Sequence, residues 1–254
     1  MASSDRFGFE WNKYSTIDPN YESQLKNWIF PLGPQEFKNK TVLDAGCGMG
    51  RNSYWCLEWG AKKVVAFDFD SRSVTAAKNN LNPFENAEVL FKSIYEIDWS
   101  DTFDLAFSIG VIHHLNDPKR ALKNLVTALK KEGTLIIWLY SYEGNEWIYH
   151  YINPIRIHLT SKLPVRMVHF LSYFCSIPLW CFIKLFRGPS SYLKQLSTFK
   201  FWHVHSIVFD QLIPEVANYW KKEEIQQLFS ELNLTSYEIF QPPNGSGWTV
   251  IGKK

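Results

Sequence analysis

The apolar run "TVLDA", Thr41–Ala45, passes straight into glycines at every second position, Gly46, Gly48 and Gly50. A glycine turn after the first strand of a parallel sheet lies at the carboxyl edge, where such sheets bind ligands, and lets a ligand approach the backbone closely. Four more short apolar runs follow, "KVVAFD", "AEVLF", "FDLAFSI" and "TLIIWLY", alternating with amphipathic stretches as far as Tyr140. That rhythm predicts βαβ units around a parallel sheet. Between the last two runs, "DPKRALKNLVTALKKEG" predicts a helix capped by Asp117, begun by Pro118 and closed by Gly133, with Leu122, Leu125 and Leu129 on one face.

After Tyr140 the alternation stops. Residues 141–220 are rich in aromatics and read as proline-punctuated helix, after which "KKEEIQQLFSELNL" places Ile225, Leu228, Phe229 and Leu232 on one helical face. "TSYEIF" and "GWTVIGKK" predict a closing hairpin. The chain therefore divides into an N-terminal segment, 1–39, an α/β core, 40–140, an insertion, 141–220, and a closing helix and hairpin, 221–254. With 254 residues, 46% of them hydrophobic, it can bury one large core and carry an appendage. Twenty-seven basic residues against 25 acidic ones give a net charge of only +2, from which no polyanion-binding surface is expected. Four cysteines without C-x-x-C spacing, and a start "MASSDRFGFEWNK" lacking the charged-then-apolar pattern of a leader, predict a reducing, cytoplasmic setting.

Within the insertion, "RMVHFLSYFCSIPLWCFIKLFR" is largely apolar between Arg166 and Arg187 and long enough to span a bilayer. His169, Ser172, Ser176, Pro178 and Lys184 argue against a span, as does its place inside one sheet domain. A lid or subunit interface, or peripheral membrane contact, is expected instead. His203 and His205 alternate like strand neighbours, but no further Cys or His stands at useful spacing, so no metal site is predicted.

The ligand of the glycine turn is constrained by its spacing. The dinucleotide fingerprint G-x-G-x-x-G needs a third glycine where Arg51 stands. Asp68, ending the second apolar run about twenty residues on, can accept hydrogen bonds from both hydroxyls of a ribose. These features point to a nucleoside without a dinucleotide's phosphates.

"VLDAGCGMGRN", "AFDFD", "FDLAFSIGVIHHLNDP" and "LKKEGTLIIWLY", in that order, closely resemble the motifs of class I S-adenosylmethionine-dependent methyltransferases. The resemblance covers roughly 40–140 and the C-terminal hairpin. It implies a Rossmann-like, doubly wound, seven-stranded α/β sheet with an antiparallel C-terminal strand and a mainly helical lid. It further implies that Gly46, Gly48 and Gly50 face the methionine part of S-adenosylmethionine, with Asp44 near its amino group and Arg51 beside them. Asp68 would hold the ribose, Phe69 would flank the adenine, and Ser93 and Ile94 would meet the adenine edge. Lys92–Ser93 stands where the family often has Gly–Asp, so a hydroxyl would replace a carboxylate. Ser108 and Ile109 would offer backbone groups beside the methyl donor, and the N-terminal segment, with Trp11 and Tyr14, would cover the cofactor. S-adenosylhomocysteine would be the product.

The expected activity is methyl transfer to oxygen or nitrogen of a small-molecule, sugar or lipid-linked acceptor, with no nucleic acid as partner and a homodimer through the insertion open. The alternatives are a macromolecular acceptor (peptide, protein or RNA), or a non-catalytic cofactor-binding subunit acting through its hydrophobic insertion. His113, His114 and Asp210 are the candidates for a base that takes the acceptor's proton. For either histidine, structural packing is the competing role. Asp44 can likewise serve only as a partner of a helix dipole, and Cys47 and Cys56 as small packing residues.

Overall fold

The computed structural model describes residues 2–186 and 190–254; Arg187, named above as one boundary of the apolar run, lies outside them. Seven strands form one sheet: β1 (Thr41–Ala45), β2 (Lys63–Asp68), β3 (Ala87–Phe91), β4 (Phe103–Ile109), β5 (Leu129–Leu139), β6 (Ser236–Phe240) and β7 (Trp248–Lys253). Their order is β3-β2-β1-β4-β5-β7-β6. β7 runs antiparallel to both neighbours while β1 to β5 pair in parallel, the doubly wound Rossmann-like sheet expected from the sequence.

Two layers of helix cover it. Helices α1 (Ala2–Lys13) and α2 (Asn20–Trp28) precede the sheet, α3 (Arg51–Glu58) follows the glycine turn, and α4 (Ser71–Leu81) follows β2. α5 (Pro118–Ala128) and α10 (Lys222–Ser230) lie across the sheet from α2 and α3. Successive strand residues face opposite ways. Val42 packs with Leu25, Phe37 and Leu57 on one face, and Leu43 with Leu122, Leu125 and Phe229 on the other. Caps set the helix starts: Asp70 accepts from the backbone N–H groups of Arg72 (2.9 Å) and Ser73 (3.4 Å), and Asp117 from that of Arg120 (3.0 Å), with Pro118 at the first helical position.

One boundary differs from the sequence expectation. α5 stops at Ala128, and Gly133 lies inside β5 rather than closing the helix. The polar "KKEG" has helical propensity, but strand pairing overrides it: Leu129 pairs with Phe103, the Glu132 N–H donates to the carbonyl of Lys254 (3.0 Å), and the Lys254 N–H donates to that of Gly133 (3.1 Å).

The segment between β5 and α10 contains α6 (Asn153–His158), α7 (Val165–Phe186), α8 (Ser191–Leu196) and α9 (Phe201–Asp210). Its two ends are tied together by a single parallel bridge, Ser141 with Trp220. His203 and His205 therefore lie on a helix, not a strand. Two residues apart on α9, they meet different partners: His203 stacks on Phe199 (3.8 Å between ring centroids), and His205 lies against Tyr173 of α7 (4.1 Å).

Leu125 is fully buried at the centre of one core layer. Leu125→Ala is expected to lower unfolding stability by about 2–5 kcal/mol in urea titration; a loss under about 1 kcal/mol would place the packing elsewhere.

Candidate active site

The glycine turn is built by backbone conformations that only glycine adopts readily. Gly46 and Gly48 take φ of +80° and +54°. A Cβ on Gly46 would lie 2.5 Å from the side chain of Val111, and one on Gly48 3.0 Å from the indole of Trp11. The turn is fastened to the end of β2. The N–H groups of Gly46 and Cys47 donate to the Phe67 carbonyl (2.9 and 3.0 Å), and that of Gly48 donates to Asp68 Oδ2 (2.9 Å). The Asp70 N–H donates to the other carboxylate oxygen, Oδ1 (3.0 Å). Each oxygen keeps acceptor capacity for a further donor.

These groups open into a cavity of 1140 Å³ lined by the turn, by Asp68 and Phe69, by Ser93 and Ile94, and by residues of α1 and of the insertion. The volume exceeds the usual range for one drug-sized ligand, about 300–1,000 Å³, so a nucleoside and an acceptor group fit together. Phe69 is 39% exposed and stacks on Phe91 at 5.7 Å, a free aromatic edge beside Asp68. Ser93 Oγ accepts from the Tyr95 N–H (3.2 Å) and keeps its own hydroxyl to offer. Across the cavity, Arg51 lies in a box of aromatic rings, 4.9 Å from Trp11, 5.3 Å from Tyr21 and 5.0 Å from Trp28, with one long hydrogen bond to Gln24 Oε1 (3.4 Å). Its guanidinium retains donors for a carboxylate.

Of the residues expected to hold the cofactor, Trp11, Gly46, Gly48, Arg51, Asp68, Phe69, Ser93, Ile94 and Ile109 line this cavity. Four others turn away from it. The Tyr14 hydroxyl pairs with His169 Nε2 (2.7 Å) in the insertion. Asp44 is buried behind the turn and accepts from Ser53 Oγ (2.6 Å); burial pushes its carboxyl up to about 7. Gly50 is the left-handed residue that opens α3, packed on Ala77 and Leu81. Ser108 is fully buried, its hydroxyl donating to the Ala45 carbonyl (2.8 Å).

The three candidate bases separate in the same way. His113 is fully buried outside the cavity, stacked on Tyr140 at 3.8 Å with neither ring nitrogen hydrogen-bonded, and burial holds its pKa well below the ordinary value. His114 lines the cavity. Its Nδ1 lies 2.7 Å from the Val216 carbonyl, which can only accept, so Nδ1 carries the proton and Nε2 is the free acceptor. Burial lowers its pKa to about 4. Asp210, at the end of α9, also lines the cavity and accepts from the Tyr140 hydroxyl (3.1 Å); burial raises its carboxyl to about 6. Gln211 donates to the same tyrosine oxygen and accepts from the Tyr219 hydroxyl, both at 3.1 Å.

Sequence reasoning missed Glu10. It is 1% exposed, accepts from Ser206 Oγ (2.5 Å), leaves Oε2 without a partner and faces the cavity, its pKa raised by burial and by Asp210. The signal was present: at helical spacing Glu10 falls among Phe7, Trp11 and Tyr14, an acid on the apolar side of an amphipathic helix.

A glycine turn and an acid beside it at the carboxyl edge of a doubly wound sheet, with one strand antiparallel to its neighbours, are the arrangement of a Rossmann-like transferase domain. The chain carries a class I S-adenosylmethionine-dependent methyltransferase domain: residues 43–137 match the family model described as a methyltransferase domain. Among solved structures, a putative S-adenosylmethionine-dependent methyltransferase from Methanococcus maripaludis aligns with a TM-score of 0.56 at 19% identity, over 96% of this chain and 89% of that one. The 1,6-didemethyltoxoflavin-N1-methyltransferase of Burkholderia thailandensis, solved with S-adenosylhomocysteine, aligns at 0.55 and 15% identity, over 92% and 79%. These likenesses show the fold.

Curated relatives include the tRNA U34 carboxymethyltransferases of Helicobacter pylori strain G27, 34% identical over 127 residues and 48% of each chain, and of Campylobacter hominis, 28% identical over 175 residues, 65% of this chain and 56% of that one. The chain spans about half the length of these relatives. Their names overturn two expectations, that the acceptor is a small or lipid-linked molecule and that no nucleic acid is involved. The small net charge also hides a segregation of charge along the chain. Between Glu146 and Asp210 there are seven Lys or Arg and no Asp or Glu, leaving 20 basic against 25 acidic residues elsewhere.

Two measurements test this site. Asp68→Ala is expected to weaken binding of S-adenosylhomocysteine at least about tenfold by calorimetry, as charge-assisted hydrogen bonds of roughly 1.5–3 kcal/mol each are lost; unchanged affinity would remove Asp68 from the ribose. Asp44 titrates near 7 in the folded chain but at its ordinary 3.8 when unfolded. Stability therefore falls as pH rises between those values, because the unfolded state releases the proton first. Asp44→Asn is expected to make the decline of Tm from pH 4 to 7 shallower, and an unaltered slope would show that Asp44 does not hold its proton.

Proposed function

We propose that the chain transfers a carbon group from S-adenosylmethionine, or from a sulfonium nucleoside on the same frame, to an RNA acceptor, with S-adenosylhomocysteine as the product when S-adenosylmethionine is the donor. The charge of the insertion carries this reading. Lys162, Arg166, Lys184, Lys194 and Lys200 are exposed, and none forms an ion pair with another described residue. All the ion pairs among the described residues lie in the rest of the chain. A cationic, acid-free segment bordering the cavity suits a polyanion, whose binding releases counterions. The names of the curated relatives support RNA over a peptide.

The residues present fit the donor. Gly46 and Gly48 leave room for close approach, Asp68 accepts from the ribose, Phe69 and Ile94 flank the base, Ser93 offers a hydroxyl to its edge, and Arg51 pairs with the amino-acid carboxylate. The bound donor supplies a carbon already activated by a sulfonium. What remains for the protein is to orient the acceptor in line, exclude water and take a proton. Asp210 performs the last task better than either histidine: near neutral pH it is ionised and in the cavity, whereas His114 is a weak base and His113 is walled off. The Tyr219–Gln211–Tyr140 chain of hydrogen bonds aims the Asp210 carboxylate.

Label transfer from radioactive S-adenosylmethionine to bulk tRNA, to a protein extract and to buffer alone tests the acceptor. Label that RNase removes is the expected result; label confined to protein would replace RNA by a peptide acceptor. With the labelled acceptor in hand, turnover should rise with pH through about 6 as Asp210 loses its proton, since the ionised form is the base. Asp210→Asn should abolish that limb and lower turnover by about 10²–10⁴ while sparing nucleoside affinity. A retained limb would assign the proton to another group.

A further inference from the structure

Helix α7 is amphipathic in the inverse sense for a helix surrounded by water. Its protein-facing side carries His169, Ser172 and Ser176, all buried. Ser176 Oγ is hydrogen-bonded to His205 Nδ1 of α9 (2.6 Å), Ser172 Oγ lies 3.4 Å from His205 Nε2, and His169 Nε2 is 3.3 Å from that same nitrogen. The outward side presents Met167, Phe170, Phe174, Ile177, Cys181 and Leu185. Steps of three and four residues make this one continuous stripe along the helix. Phe170, Phe174 and Leu185 are 63%, 70% and 76% exposed. Soluble surfaces rarely hold so long an uninterrupted apolar strip without a partner. The helix also borders the cavity, through Cys175 and Leu179.

The charges at the two ends of the stripe select the partner. Arg166 and Lys184 flank it, both exposed, and no acid occurs between Glu146 and Asp210. A second copy of α7 laid along the stripe would bring cations together in either direction, Arg166 on Arg166 when parallel and Arg166 near Lys184 when antiparallel. RNA would satisfy the cations and could stack on Phe170 and Phe174, but would leave the aliphatic members of the strip, Met167, Ile177 and Leu185, in water. Length and composition alone would allow α7 to cross a membrane. Crossing would strip His169, Ser172 and Ser176 from their hydrogen bonds with α9 and place them in hydrocarbon. An interfacial position keeps those bonds, buries the outer stripe and leaves the flanking cations among headgroups.

We propose that α7 docks the protein, lying in plane, on a bilayer surface that carries anionic headgroups. This goes beyond the RNA reading and does not depend on it. Cosedimentation of the full chain with vesicles of phosphatidylcholine, alone or with added phosphatidylglycerol, tests it, with gel filtration and an RNA competitor alongside. Phe170→Ser/Phe174→Ser/Leu185→Ser and Arg166→Gln/Lys184→Gln provide the comparison; an unchanged thermal midpoint and S-adenosylhomocysteine affinity identify each variant as folded.

Binding to the anionic vesicles and weaker binding to the neutral ones is the expected result. The triple variant should lose at least about tenfold of that binding, and the double variant should lose its preference for phosphatidylglycerol. Failure of the wild-type chain to sediment with either vesicle would overturn the proposal. So would a wild-type dimer that the triple variant converts to monomer, which would make a second copy the occupant. RNA displacing the protein from vesicles while the triple variant binds them like wild type would also overturn it, because the cations alone would then account for the association.

Discussion

One hydrogen bond, from the Gly48 backbone N–H to Asp68 Oδ2, joins the two parts of the chain that make a nucleoside site possible. It crosses from the turn after β1 to the end of β2, which parallel pairing has already placed side by side, Ala45 opposite Phe67. The bond requires Gly48 in a left-handed conformation, and the turn accepts side chains at neither Gly46 nor Gly48 without displacing Val111 or Trp11. The sheet order, with β1 and β4 adjacent at its centre, then sets Ile109 and Gly110 at the opposite lip. The bond from Gly48 is the direct tie between the acid's side chain and the turn, beside the bonds from the Gly46 and Cys47 N–H groups to the Phe67 carbonyl that fasten the turn to the same strand end.

Charge is distributed around this frame with a consequence for chemistry. The cavity is lined by two carboxyls, the buried Glu10 and the half-buried Asp210, and by one guanidinium, Arg51. Burial and the charge of Asp210 both raise the Glu10 carboxyl well above its ordinary range, and burial raises that of Asp210 to about 6. Lys162, Arg166, Lys184, Lys194 and Lys200 of the insertion are exposed, whereas Trp28, Trp138 and Tyr140 are among the rings that line the cavity.

How much of this the sequence discloses depends on whether a feature is local. All seven strands were readable, because each is a short apolar run bounded by turn residues, and so was the first turn of α5, where Asp117 and Pro118 specify the start with their own atoms. The end of α5 was not readable: "KKEG" is drawn into β5 by the chain terminus, more than 120 residues away, and local propensity cannot report that. The same limit hid the helix around His203 and His205, whose period-two look is coincidence within "FWHVHSIVFD". In the site, residues fixed by the glycine turn lined the cavity as expected. Tyr14, Asp44, Gly50, Ser108 and His113 did not, because each found a partner or a packing place one layer behind it. Net charge concealed the cationic insertion, since a sum discards position.

The insertion is joined to the core at several places, among them the Ser141–Trp220 bridge, the Asn218 N–H on the His113 carbonyl (2.9 Å), His114 Nδ1 beside the Val216 carbonyl and the Tyr140 hydroxyl on Asp210, and α1 adds a further seam. That helix is stitched to both sides. The guanidinium of Arg6 donates to the carbonyls of Thr160 (3.2 Å), Ser161 and Leu163 (2.7 Å) in the insertion, and Tyr14 and Glu10 reach His169 and Ser206 there. On the core side, Arg72 of α4 pairs with Asp5 (2.8 Å), and Gly8 lies so close to Asp70 that no side chain fits between them. Arg6 is buried to within 9% of full exclusion, and its three carbonyl acceptors would lose their donor if α1 moved away. α1 therefore clamps the insertion to α4 beside the cavity. α9 carries Asp210 at its cavity end and His205 against α7, so one helix connects the proposed base with the helix that bears the outer apolar stripe.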